Sequence, residues 1–487
     1  MDRKNYFMLN INRRLSAFGN GEIMVAVALI LLFSSFLLVN FFSGFNLFFY
    51  IGVAVAGLIL PLIYPRAGIY AITWLILVFA KFFTLQSFII GNLEYKFYLV
   101  DIIFVAVILG LLLRMIKKQL KISLKLSDLI LLAWLFLTGL YFILSVTVWD
   151  GSFTLSFSSL KNYAFYPLFY FSAYLLFDKA KYWREWLGFV IAGAVTIIGF
   201  IVYGLINGQG LWTEITPLTT AGARILDFDH AFYLCLISIF GLVYLLFKKG
   251  FVSRTFYILL PIFAVGIVGS LMRHLWVALA VTLVFLYLAV GREKRQIFLS
   301  VIARYALACV VVGLLIIFMI NIFPWSVATE QIKQTTNEVL GRAVSLANPS
   351  DTSFAWRGAV WQSVWEEQKN NVWRGLGFGQ QVFIDMGDYL DYVEVRNIHN
   401  SWFAVFVQMG AGGLLLFLCF YFNLFKNLLF HRTSNVLGSI ARYSVMGIMV
   451  FCAVAFLFQP YLEANFFSIF FWLSLGLGRR VYAGIIS

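Results

Sequence analysis

Apolar residues fill this chain in runs of about 20, the length a helix needs to cross the hydrocarbon core of a bilayer. Charged residues concentrate in the connections between runs. The pattern predicts fourteen candidate membrane spans, from 22–42 to 466–478, of which 68–85, 164–177, 256–271 and 466–478 are short or interrupted. Pro217, Pro324, Pro349 and Pro460 fall in connections, as proline's missing donor favours. The first run is too long for the core of a signal peptide and is read as the first membrane helix.

Two connections break the rhythm. Residues 325–400 form a long hydrophilic loop, and 207–229 a shorter one. Loops of this length are usually functional. They divide the chain into helices 1–11 (1–324), the large loop with short helices (325–400) and helices 12–14 (401–487).

Composition agrees with the pattern. The 487 residues are 62% hydrophobic and 12% charged, far from the balance of a soluble domain. The expected fold class is all-α, a polytopic membrane bundle of 12–14 helices. The four cysteines lie within apolar runs, without disulfide or metal spacing, and read as packing residues. The net charge of +14 is a topology signal. With both termini cytoplasmic, most of the 36 basic residues fall on the inner side and most of the 22 acidic ones outside. Nucleic-acid binding would need a basic face on a soluble domain and gains no support. Both long loops then lie on the outer face.

Candidate chemistry gathers there. Within the large loop, Arg357, Trp361 and Trp365 fall at i, i+4 and i+8, one face of a helix capped at 351–353 and stopped by Gly375-Leu-Gly-Phe-Gly379. Arg273 sits in Gly269-Ser-Leu-Met-Arg-His-Leu-Trp276 at the outer boundary between two spans. A charge at that depth marks a pathway, partner or ligand, or else snorkels to headgroups. His399-Asn400 ends the large loop, and Gly410 and Gly413 lie inside the next span, where glycine permits close helix approach. Arg224 and Asp227-Phe-Asp229 occupy the shorter outer loop. The two aspartates read either as a helix cap or as an Asp-x-Asp metal pair. Glu463, in the last outer connection, is an alternative base.

These stretches resemble the O-antigen ligase and polymerase superfamily. His399, Asn400, then nine residues, Gly410, two residues and Gly413 match each fixed position of its signature. Arg273 with Trp276 resembles the block before the large loop. Arg357 with Trp361, followed by Arg374-Gly-Leu-Gly-Phe-Gly379, resembles the helix and turn within it. The resemblance covers roughly 200–480. The chain departs from the family in its span count and where Asp227-Phe-Asp229-His230 replaces Asn-Pro-Asn after Arg224.

The resemblance implies a glycosyltransferase of the bacterial inner membrane, with its site on the periplasmic face. Its donor is a glycan on undecaprenyl pyrophosphate, and its acceptor a sugar hydroxyl of lipid A-core. Arg273, Arg357 and Arg224 would bind the pyrophosphate, His399 would serve as base, and no cofactor or metal is expected. Asn400, Gly410 and Gly413 are motif and packing positions. A polymerase joining lipid-linked repeat units is the alternative within the family, and a flippase of lipid-linked glycans the alternative outside it.

Overall fold

The computed structural model describes residues 21–84, 88–90, 93–95, 98–120, 122–207, 224–322, 327–344, 352–385, 390–431, 433, 435–464 and 466–483. These form two compact units. One holds the described residues up to Ile122 together with Lys181–Gly193, and the other Ser123–Ala180 with the described residues from Ala194 onward.

The first unit contains α1 (Gly21–Ser43), α2 (Leu47–Ile63), α3 (Pro65–Thr84), a short hairpin of β1 (Phe88–Ile90) and β2 (Leu93–Tyr95), α4 (Leu99–Ile116) and the first half of α8 (Ala180–Asn207). Its charges pair locally: Arg66 lies 3.2 Å from Glu22 and stacks 3.5 Å above the Tyr182 ring.

The second unit carries α5 (Leu126–Thr147), α6 (Phe153–Leu160), α7 (Leu168–Leu176), α9 (Phe228–Phe247), α10 (Phe251–Gly269), α11 (Arg273–Ala289) and α12 (Arg292–Ile322). The large loop follows, with α13 (Val327–Val344), α14 (Thr352–Gln368) and an antiparallel hairpin of β3 (Gln381–Asp385) and β4 (Leu390–Glu394). Then come α15 (Ser401–Phe430), α16 (Val436–Ala455) and α17 (Phe467–Tyr482). Helix α17 is central: α7, α15 and α16 pack around it, and all of its residues are buried.

Among the described residues, eight helices are long and apolar enough to cross a membrane: α1, α4, α5, α8, α9, α10, α15 and α16. Three shorter apolar helices join them, α2, α11 and Pro65–Phe79 of α3. Of the remaining runs read as spans, 305–324 falls mostly within the 31-residue α12 and 466–478 mostly within the 16-residue α17, while 164–177 is broken. The run at 164–177 is interrupted by a π-turn at Lys161–Phe165. Pro167 lacks the N–H that would bond the Tyr163 carbonyl. Trp134 Nε1 donates to that carbonyl instead, at 2.8 Å.

The large loop has its own small core. Val360 and Val364 of α14, Val382 and Ile384 of β3, and Val393, Val395 and Ile398 pack onto Ala404 and Val407 of α15. Beside its short helices the loop carries this hairpin, which adds a period-two alternation, with Val382 and Ile384 inward and Gln381 and Phe383 outward.

Candidate functional site

The site forms where α14, the starts of α9, α11 and α15, and the turn between α16 and α17 converge. Arg273 opens α11, directly after a tight turn in which Leu271 takes φ 60°. Trp276, one helical turn on, donates from Nε1 to Ile267 O at 3.2 Å and so ties α11 back to α10. Arg224 is buried just before α9. Asp227 caps that helix, its carboxylate accepting from Phe228 N at 2.7 Å, and Asp229 follows in the first turn. No three His, Cys, Asp or Glu side chains among the described residues are grouped as a metal site would need.

Arg357 lies on α14, with Trp361 one turn later donating from Nε1 to Ile398 O at 2.8 Å. That bond brings the helix against the residue preceding His399. The Trp356 ring meets the His399 ring edge-to-face, with centroids 5.1 Å apart. Trp365, the third residue of the expected face, is 45% exposed and stacks on Phe406. It belongs to an open aromatic groove that begins at Asn400 and includes Trp402 and Phe403.

His399 itself has φ 54°, a left-handed conformation uncommon for a residue with a side chain. Asn400 then caps α15, its carbonyl accepting from Phe403 N at 3.0 Å. Burial first and the nearby Arg357 charge second bring the His399 imidazole down to about 4, against a hydrogen bond with the Gln459 side chain that opposes both. The ring is therefore neutral at physiological pH. Its Nδ1 is shielded from solvent and has no hydrogen-bond partner among the described residues.

His274 shows how closely these groups gather. Arg357, His399, Arg224 and Arg273 all act on it electrostatically, and Tyr461 bonds its Nε2 at 2.6 Å. The tertiary structure thus brings together Arg224, Arg273, Arg357 and His399, four residues spread over some 175 positions of sequence. It adds His274, Gln459 and Tyr461, which the sequence reading did not single out as partners. The alternation of Gln459, Tyr461 and Glu463 is visible in the chain, but nothing local says that each meets a separate motif residue.

Gly410 and Gly413 both stand where the chain packs closely, and Gly410 also breaks a helix. Gly410 takes φ 64°, ψ −172°, which breaks α15 into 401–409 and 411–430. Only glycine enters that region without strain. The Gly-rich turn 375–379 fills the break. Leu376 N donates to Val407 O at 2.7 Å, Gly377 N to Gln408 O at 3.2 Å and Ala411 N to Val372 O at 2.8 Å. Tyr141 OH adds bonds to Arg374 O and Met409 O. Backbone groups freed by the break are thereby satisfied, as a low-dielectric interior requires. A Cβ on Gly410 would stand 2.1 Å from Trp373 O, and one on Gly413 would stand 2.3 Å from the Met409 Cβ.

Residues 256–418 match the family model described as O-antigen ligase. Over that stretch, about a third of the chain, it is similar to the O-antigen ligase superfamily, which supports a function of the O-antigen ligase type in general. The matched stretch contains Arg273, Arg357, His399, Asn400, Gly410 and Gly413; Arg224 and the α16–α17 turn lie outside it. No curated protein matches the chain.

Proposed function

We propose that this protein transfers a glycan from undecaprenyl pyrophosphate to a sugar hydroxyl of lipid A-core, at the periplasmic face of the bacterial inner membrane. The observation that carries this reading is the convergence of Arg224, Arg273, Arg357 and His399 around His274.

Three guanidiniums in one place suit a polyanion. Each stays charged and offers a planar fork to phosphate oxygens. As the bond from the sugar C1 to the phosphate oxygen breaks, the pyrophosphate leaves with the electron pair, and the arginines stabilise the charge it gains. The acceptor hydroxyl attacks C1 from the opposite face, which inverts the anomeric centre.

His399 takes the hydroxyl proton. Its hydrogen bond with Gln459 engages one ring nitrogen and leaves Nδ1 to accept. Burial, and after it nearby positive charge, makes the free imidazole a weak base. A bound pyrophosphate offsets that charge and strengthens the base when the donor is in place. The step calls on no metal ion.

Purified protein in nanodiscs, supplied with lipid-linked repeat units alone and then with lipid A-core added, tests the reading. A discrete transfer that requires lipid A-core supports it. A ladder built from donor alone would make the protein a polymerase. Movement of unaltered donor across the bilayer, with no glycan transferred, would make it a flippase.

A further inference from the structure

Glu463 sits in the turn between α16 and α17, 5% exposed and outside the stretch matched to the family. Both carboxylate oxygens are engaged. Oε2 accepts from Ser401 Oγ at 2.6 Å, and Oε1 accepts from the Tyr163 hydroxyl. Tyr163 in turn accepts from Gln408 Nε2 at 3.0 Å, and Gln408 Oε1 accepts from Ser159 Oγ at 2.8 Å. Ser401 is the first residue of α15, and Gln408 stands two residues before the Gly410 break. One buried carboxylate therefore holds both ends of the half-helix that His399 and Asn400 lead into.

The same turn grips the motif at further points. Ser401 N donates to Phe456 O at 2.8 Å, and Leu462 N donates to Ser401 Oγ at 3.1 Å. Gln459 holds His399 and Tyr461 holds His274. The left-handed backbone of His399 persists only where its surroundings over-determine it, and Ser401, two residues on, is the most heavily bonded point nearby.

We infer that Glu463 is a positioning residue for the transfer proposed above: as a carboxylate, acting through Ser401 and Tyr163, it fixes the half-helix 401–409 and with it the direction in which His399 presents Nδ1. The inference rests on that functional reading. An ionised carboxylate only accepts, which suits two hydroxyl donors. Once protonated it carries an O–H of its own, and one of the two hydroxyls must turn away. Ser401 has a second acceptor ready in Gln459 O, 3.3 Å from its Oγ, and Gln459 is the residue bonded to His399.

Burial raises the Glu463 carboxyl to about 7, against the Ser401 and Tyr163 hydrogen bonds, a backbone hydrogen bond and the Arg396 charge. The titratable and charged groups on the elements packed around it are Tyr163 and Lys161 of the π-turn, Arg396 after β4, Tyr461 of its own turn and His399. Transfer should therefore rise with pH as Glu463 ionises near neutrality.

The test uses the full chain in nanodiscs, with Glu463→Gln, Glu463→Asp and Ser401→Ala. Two readouts are taken: transfer rate against pH, and the rate at which diethyl pyrocarbonate modifies His399, followed by mass spectrometry. The expected result is about a tenfold fall in kcat at similar KM for Glu463→Gln, with the near-neutral acid limb of the wild type lost. His399 modification should speed up severalfold in Glu463→Gln and Ser401→Ala, and Glu463→Asp should restore part of the wild-type rate. Unchanged His399 modification in both variants would overturn the inference, as would an acid limb that survives Glu463→Gln. Should Glu463→Gln not fold, Ser401→Ala and Glu463→Asp decide between the same outcomes. If the wild type transfers no glycan, the proposed function fails while the modification rates still decide the positioning role.

Discussion

Arg479 forks onto Asp128, with Nε 2.9 Å and Nη2 2.8 Å from the carboxylate, and neither side chain reaches the surface. The pair joins the last turn of α17 to the first turn of α5. Tyr170 OH donates to the same carboxylate at 2.6 Å, and the Tyr174 ring lies 4.5 Å from the guanidinium. Since α17 is the element around which the second unit packs, this contact fixes the scaffold on which the site is built.

Removing one partner of a buried pair leaves the other charge without compensation, at a cost of about 3–5 kcal/mol. Asp128→Ala should therefore lower the unfolding temperature of the detergent-solubilised protein markedly. Replacing both residues together with apolar ones of similar volume should recover much of the loss. Equal melting curves for the single variant and the wild type would show that the pair does not hold α17.

Gly410→Ala should cost about 1–3 kcal/mol through its backbone conformation alone, and more through the clash with Trp373 O. Its effect should be local to the Gly375–Gly379 turn. Hydrogen exchange should then rise at Leu376 and Gly377, whose amides bond α15 carbonyls. A normally protected turn in this variant would contradict that placement.

His399→Ala should reduce transfer by about 10²–10⁴-fold, the contribution of a positioned acid or base. Donor binding, which the arginines carry, should change little. The pH dependence of stability has a definite sign. Folding lowers the imidazole pKa from its ordinary value of 6.5 to about 4, so the unfolded chain binds more protons between those limits. Stability from this group is present above pH 6.5 and is lost as pH falls through the folded value. The difference between wild-type and His399→Ala melting curves across that window measures it.

Arg357→Ala should lower kcat/KM by about 10²–10³-fold if the guanidinium stabilises the leaving pyrophosphate. Arg357→Lys keeps the charge, loses the fork and should restore only part of the rate. Transfer should persist in a chelator. Loss that magnesium or manganese reverses would instead assign Asp227 and Asp229 to a metal ion.

The membrane class was legible in the chain alone, and so were the candidate chemical groups. Long apolar runs admit only helices once water is excluded, because each backbone group must then be satisfied within its own segment. Charged residues near the ends of such runs stand out for the same energetic reason, which is how Arg273 was legible. The His399-to-Gly413 spacing was equally plain, since it lies within one stretch of chain. Tertiary structure decided what local pattern does not encode. Gly410 reads as a packing glycine in sequence and becomes a helix break only because the turn at 375–379 supplies donors and acceptors to the freed backbone. Pro167 divides a run that hydropathy reads as one span, because Trp134 takes the carbonyl that proline cannot bond. Arg224, Arg273, Arg357 and His399 are far apart in the chain and come to act on one residue, His274, only through the tertiary structure. The turn from Phe456 to Glu463 has no motif of its own, and its hold on His399, His274 and Ser401 depends on side chains brought together across distant parts of the chain.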